Sequence, residues 1–222
     1  MAIVQRLPQE SVPSAQAADT VHPVARLAML HAEAQETARL ANLLGRSIHA
    51  ASALVLMGIA ALAFGGAGIV ESVTWAVFVL AGAAAIVASY RRAIGQPFER
   101  AALKSFSQDL HAILVFAGFA WGAGAFLALS ADASLVMTIL FSAGTCAVIA
   151  LQLRDQQCAF LFLAPVAALS SFACVLRPTS GGALDAAAVL IACGLVAAAV
   201  LLVARSAAQD VEIPELAGLP QA

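Results

Sequence analysis

The sequence predicts an all-α, polytopic membrane protein: a bundle of six transmembrane helices preceded by a cytoplasmic amphipathic helix. Three observations carry that prediction. Of the 222 residues, 62% are hydrophobic and only 11% charged, against roughly a quarter charged in ordinary soluble domains. From Phe116 to Ser171, three consecutive apolar runs are joined by very short polar turns, with charges only at Asp132 and at Arg154 and Asp155. Basic residues, finally, fall almost entirely on one side of the six runs.

In chain order, residues 1–22 are rich in Pro, Ser, Gln and Ala without an apolar period and are expected to form a disordered cytoplasmic tail. They contain no apolar core of a cleavable leader, so insertion is expected to be directed by the first transmembrane helix. Residues 23–46 read as the amphipathic helix. Pro23 suits a first helical turn, and Leu27, Leu30, Ala34, Thr37, Ala41 and Leu44 recur at spacings of three and four, opposite Arg26, Glu33, Glu36 and Arg39. Such a helix lies on the membrane surface or packs on the bundle.

Residues 47–206 form the transmembrane domain. Its six runs, near Ile48–Gly68, Ser72–Tyr90, Leu110–Ser130, Ala133–Leu153, Cys158–Leu176 and Leu184–Ala204, are each long enough to cross a hydrocarbon core of about 30 Å at about 1.5 Å per residue. They are continuously apolar without alternation, and lipid offers no partner to an open sheet edge, so helix is preferred to strand. Residues 207–222 read as a short cytoplasmic tail, with Pro214 and Pro220 opposing a long helix.

With the amino terminus inside, the inner segments hold Arg6, Arg26, Arg39, Arg46, Arg91, Arg92, Arg100, Lys104, Arg154 and Arg205, and the outer loops hold only Arg177. This distribution predicts that both termini are cytoplasmic. The outer loops, 69–71, 131–132 and 177–183, are too short for a ligand-binding domain. The one sizeable connection, Arg91–Asp109, is cytoplasmic, and its basic residues fix topology and meet anionic lipid headgroups.

Few side chains suggest chemistry. No ionisable group falls near the middle of a run, which counts against ion or proton transport. The intramembrane polar groups are Thr74, Ser142, Thr145, Ser170 and Ser171. His49 and His111 fall at the cytoplasmic ends of the first and third runs, where paired imidazoles could hold a b-type haem or contact a quinone; interfacial histidines without a ligand are the commoner case, and no cofactor or metal is expected. Cys146, Cys158, Cys174 and Cys193 lack CxxC spacing and read as small buried side chains. Gly118 and Gly122 form a GxxxG pattern, extended by Gly124, that admits a close neighbouring helix. Trp75 and Trp121 read as aromatic anchors near the outer interface and Tyr90 as one at the inner interface. Pro165 is expected to bend the fifth run. A net charge of -2 gives nucleic acid no basic surface to bind, and no Walker loop, GxSxG or HExxH motif is present.

From Tyr90 to Arg205 the chain resembles the multi-pass, MASE-type input regions of bacterial diguanylate cyclases and sensor histidine kinases. The likeness rests on Tyr90-Arg91-Arg92 closing the second run, the cytoplasmic link, and the third run with Trp121-Gly122 and Gly124. An acidic turn after Ser130, the LQLRDQQ end of the fourth run and the CAFLFLAPVAAL start of the fifth complete it. In that family the last helix leads into a signalling helix and a catalytic domain; here only SAAQDVEIPELAGLPQA follows Arg205. The resemblance implies a non-enzymatic sensory or regulatory module that acts on a cytoplasmic or membrane protein partner or as a homodimer, in contact with membrane lipids. A small carrier for a neutral or apolar solute is a second expectation, signalled by convergence of Thr74, Thr145, Ser170 and Ser171. A structural subunit of a larger membrane complex is a third.

Overall fold

The structure is a computed structural model that describes residues 23–96, 99–130, 133–177 and 181–216, with the backbone alone for 23–25 and 207–216. The expected amino-terminal tail, Asp132 and Pro220 lie outside the described residues. The helices are α1 (Pro23–Phe64), α2 (Ile69–Ile94), α3 (Arg100–Leu127), α4 (Leu135–Ile139), α5 (Thr145–Leu153), α6 (Gln156–Leu176) and α7 (Gly182–Leu216), with a π-helical segment, Leu140–Gly144, joining α4 to α5. Among the described residues there is no strand, only an isolated antiparallel bridge between Gly66 and Leu129. Six helices are long and apolar enough to cross a membrane, with α4, the π segment and α5 counting as one. The protein is therefore an all-α, multi-pass membrane protein.

The distribution of side chains fits lipid as the solvent. Leu184, Ile191, Leu195, Leu202 and Val203 on α7, and Val73, Val77 and Leu80 on α2, are all exposed, whereas Ser47, Thr138, Ser142, Thr145 and Ser170 are fully buried. Water would exclude the first set and solvate the second; hydrocarbon reverses both preferences.

The chain divides into two compact units at Ala38 and Arg39. In the first, the described residues belong to α1: Leu27, Met29 and Leu30 are exposed, and Thr37 Oγ1 donates to the Glu33 carbonyl at 2.8 Å. The second holds the rest of α1 and the other helices. Here the expected division between an amphipathic helix and a first span is replaced by one helix, α1, without a break. No proline and no left-handed residue interrupts it, and Gly45 is accommodated within the helix. The last span, expected near Leu184–Ala204, is Gly182–Ser206, and its helix, α7, continues past the span to Leu216, through the residues expected to form a tail. Pro214 falls in its last turn, where it removes one backbone hydrogen bond instead of breaking the helix midway.

Within the second unit, α3 and α6 are the best enclosed of the spans and α7 the least. Each joint has its own device. Gly66 takes φ +69° between α1 and α2, a left-handed conformation that favours glycine, and Ser130 N donates to the Gly65 carbonyl at 2.8 Å. Ser134 caps α4 by accepting from Met137 N at 3.3 Å, and Asp155 caps α6 by accepting from Cys158 N at 3.0 Å.

Candidate functional site

The interior is organised where α2, α3 and the π segment meet. Trp75 from α2 and Trp121 from α3 stand edge to face with ring centroids 5.2 Å apart, and Phe141 of the π segment stacks on Trp121 at 5.1 Å and lies 5.7 Å from Trp75. Both indoles are fully buried. This corrects their expected role as interface anchors: neither ring is accessible from outside the bundle. Their N–H groups are satisfied inside the bundle, Trp75 Nε1 donating to the Ala120 carbonyl at 3.0 Å and Trp121 Nε1 to the Phe141 carbonyl at 2.8 Å. A π turn loosens the regular i to i+4 ladder, and here one of its carbonyls receives an indole. Tyr90, the third expected anchor, is partly buried and packs against the core.

Gly124 makes room for this cluster. A Cβ there would stand 2.5 Å from Trp75 Nε1 and from Phe141 Cζ. Gly118 and Gly122 do the same for α6: a Cβ on Gly118 would lie 2.6 Å from the Phe162 carbonyl oxygen and from Pro165 Cγ, and one on Gly122 would lie 2.9 Å from Leu169 Cβ. The GxxxG pattern thus seats α3 on α6 inside the bundle. Pro165 is buried in the same seam. Gly82, which sequence reasoning passed over, brings α2 to α3, its would-be Cβ 3.2 Å from Ala117 Cβ. The available signal was the run of small residues around Gly82, Ala83, Ala84 and Ala85.

Polar groups line the interior without forming the expected solute site. Thr74 is exposed and its hydroxyl bonds back to Val70 O at 2.8 Å, so it does not join Thr145, Ser170 and Ser171. Those three are buried, and their hydroxyls have no hydrogen-bond partner. Ser142 Oγ returns to Thr138 O at 2.7 Å. At one end of this region Arg177 Nη1 donates to the Ala133 carbonyl at 3.2 Å and contacts Thr138 Oγ1 at 3.1 Å. The four cysteines are buried free thiols, as expected. Among the described residues no group of three or more His, Cys, Asp or Glu is placed to hold a metal ion.

The opposite end is tied by an ion pair that the sequence did not reveal. Arg39 Nε donates to Asp155 Oδ2 at 2.6 Å and Arg39 Nη2 to Gln157 Oε1 at 3.2 Å. The carboxylate is almost wholly buried while the guanidinium is half exposed. Burial alone would push the Asp155 carboxyl up, but the Arg39 hydrogen bond, the Cys158 backbone N–H and the guanidinium charge outweigh it and hold the group below its usual value. Arg154 beside it takes φ 48° as the C-cap of α5, turning the chain so that Asp155 can cap α6. Of the other residues expected to set topology, Arg46 Nη1 reaches the Gln152 carbonyl at 3.4 Å and Arg92 pairs with Asp109 at 3.4 Å on the surface. Arg91, Arg100, Lys104, Arg154 and Arg205 are exposed.

The two histidines are unlike one another. His49 is exposed. His111 is half buried, its Nε2 is enclosed without a partner, and it lines a groove between α3 and α6 that His49 does not line.

The fold and the interior define a polytopic α-helical membrane protein with a glycine-seated aromatic centre. Comparison with protein-family models, with curated proteins and with solved structures finds no match.

Proposed function

We propose that the protein is a non-enzymatic sensory or regulatory module of a bacterial inner membrane, both termini cytoplasmic, that passes a change in helix packing to a partner protein. The observation that carries this reading is α7. It is one unbroken helix from Gly182 to Leu216, of which Gly182–Ser206 is the apolar span and residues 207–216 continue beyond it. It is also the least enclosed of the spans. A helix that packs on α6 and leaves the bundle unbroken carries any rotation or shift of its buried part outward intact. The basic residues, ten on the proposed inner side against Arg177 on the outer, support the orientation, and the likeness to MASE-type input regions supports the class.

A signal in such a module must favour one packing arrangement over another, since equal affinity for both shifts nothing. The chain is then a signal receiver that lends its state to a kinase, a cyclase or another output protein.

Affinity purification of the full chain from its native membrane in mild detergent, with mass spectrometry and an absorption spectrum of the eluate, tests this. Co-purification of a signalling protein is the expected result. Recovery as a fixed component of an enzyme complex would replace the reading with that of a structural subunit. Recovery alone and colourless would overturn it in favour of solute transport, and a Soret band would show a bound haem.

A further inference from the structure

Thr145 is the first residue after the π segment, and its hydroxyl behaves unlike those of the other threonines among the described residues. Thr37, Thr74 and Thr138 each return the hydroxyl to the carbonyl four residues earlier, at 2.8, 2.8 and 3.2 Å, the usual way a helix satisfies such a group without water. Thr145 Oγ1 is enclosed and has no partner. Four residues before it stands Phe141. In an unbroken α-helix the Phe141 carbonyl would take the Thr145 backbone N–H and could take its hydroxyl as well, one for each lone pair. Here the Thr145 N–H donates to the Ser142 carbonyl, and the Phe141 carbonyl accepts from Trp121 Nε1 at 2.8 Å.

The π turn and the indole bond therefore belong together. With the turn open, Thr145 is off the Phe141 carbonyl and the indole holds its place. With the turn closed to α-helix, Thr145 would gain both bonds and the indole would lose its acceptor. Each arrangement leaves one buried polar group unmet, the hydroxyl in the first and the indole N–H in the second, at similar cost. Two packings of similar free energy are what a switch requires. The π segment is also placed to pass on such a change, since it contacts α3, α6 and α7. The Cys193 thiol of α7 is in hydrogen-bonding contact with Ser142, inside the turn, and with Cys146, just after it, so closing the turn re-aims one of these contacts relative to the other.

We propose that the fourth span is a two-register switch in which Trp121 and Thr145 compete for the Phe141 carbonyl. In the register described, the indole holds the carbonyl and Leu140–Gly144 is a π turn. In the second, Thr145 holds it, the turn is α-helical, and α5 meets α7 with a different face. The switch deepens the sensory reading by naming the element that moves, and it rests on that reading only for what the movement reports.

The test uses the full chain, labelled with 15N-tryptophan, in phosphatidylcholine nanodiscs. The sequence has two tryptophans, so the spectrum holds two indole N–H peaks. The expected result is relaxation dispersion on the microsecond to millisecond scale in one of them, from exchange with a second register populated at about 1–10%. The other, whose bond to the Ala120 carbonyl is not involved, stays nearly flat. Thr145→Val keeps the shape, removes the hydroxyl and is expected to cut the second population about tenfold, the worth of one hydrogen bond. Thr145→Ser keeps the hydroxyl and the exchange. An unmoved second indole peak shows that each variant is folded. Absence of exchange in the wild type, or exchange of equal size in both indoles, would overturn the proposal without recourse to a variant. So would exchange that Thr145→Val leaves unchanged. The readout comes from the purified chain alone, so its failure is distinct from failure to recover a signalling partner.

Discussion

Along α3, glycines let Phe162, Pro165, Leu169 and the Trp75 ring approach the helix so closely that a Cβ at Gly118, Gly122 or Gly124 would overlap them. Along α7, Gly194 has nothing within 4 Å of where a Cβ would stand, and the helix turns Leu195, Leu202 and Val203 outward. Lipid is as apolar as leucine, so hydrophobicity does not distinguish the two helices; packing does. Where small residues admit a neighbour's backbone, the helix is held by many short contacts. Where large apolar residues face lipid, the helix presents most of its surface outward. The seams of α3 are thus closed by small residues, whereas α7 packs on α6, burying Ala186, Val189 and Cys193, and gives the larger share of its surface to lipid.

The most severe way to break that comparison is Gly118→Leu, which drives a side chain into the Phe162 carbonyl and the Pro165 ring. A destabilisation of about 3 kcal/mol or more is expected, at the upper end for overpacked interiors, and equilibrium unfolding in lipid-detergent mixtures measures it. A loss under 1 kcal/mol would show that α3 and α6 are not seated as described. Next, Trp121→Phe removes the bond to the Phe141 carbonyl and part of the stacked surface, for an expected cost of about 2–3 kcal/mol. Near-ultraviolet circular dichroism would change with it, and an unaltered spectrum would count against the cluster.

The Arg39 and Asp155 tie gives a smaller, pH-dependent effect. The folded-state pKa of Asp155 is lowered, so its contribution is present above the ordinary carboxylate range and is lost as pH falls through the folded value. Stability measured from pH 6 downward is expected to fall at acid pH in the wild type. Asp155→Ser retains a capping oxygen for Cys158 N and should flatten that part of the profile, whereas Asp155→Ala also gives up the cap, at about 1 kcal/mol. An unchanged profile in Asp155→Ser would remove the ion pair from the account. Gly194→Ala, smallest of all, is expected to stabilise α7 by at most about 1 kcal/mol, because it exchanges a flexible residue for a helix former in open space. A large loss there would mean that α7 is packed against something, which would itself sharpen the contrast with α3.

Much of this architecture was legible before any coordinates. Six apolar runs of sufficient length gave six spans, and spacing alone singled out Gly118 and Gly122 as a seam. The orientation of individual side chains was not legible, and the reason is physical. When a helix is apolar all round, no polar stripe marks its outer face, so nothing in the pattern separated a buried Trp75 from one at a headgroup. The continuation of α1 and α7 beyond their apolar spans was not legible because polar and apolar segments can share one helical backbone, and a change of hydropathy does not require a break. The Arg39 and Asp155 bond joins residues 116 positions apart, a separation that no local period reports. The groove at His111 exists because Ala164 and Ala168 stand on an exposed side of α6, a fact that acquires meaning once α3 is placed beside it.

The π segment has a further consequence, best seen as a matter of counting. An α-helix advances about 100° per residue, and a π turn inserts one residue more than that progression requires. Leu135–Ile139 and Thr145–Leu153 are thus parts of one span that keep separate angular registers. The fourth span is a coupling with a built-in phase offset: the face turned inward before Leu140–Gly144 is not the face that an unbroken α-helix would turn inward after it.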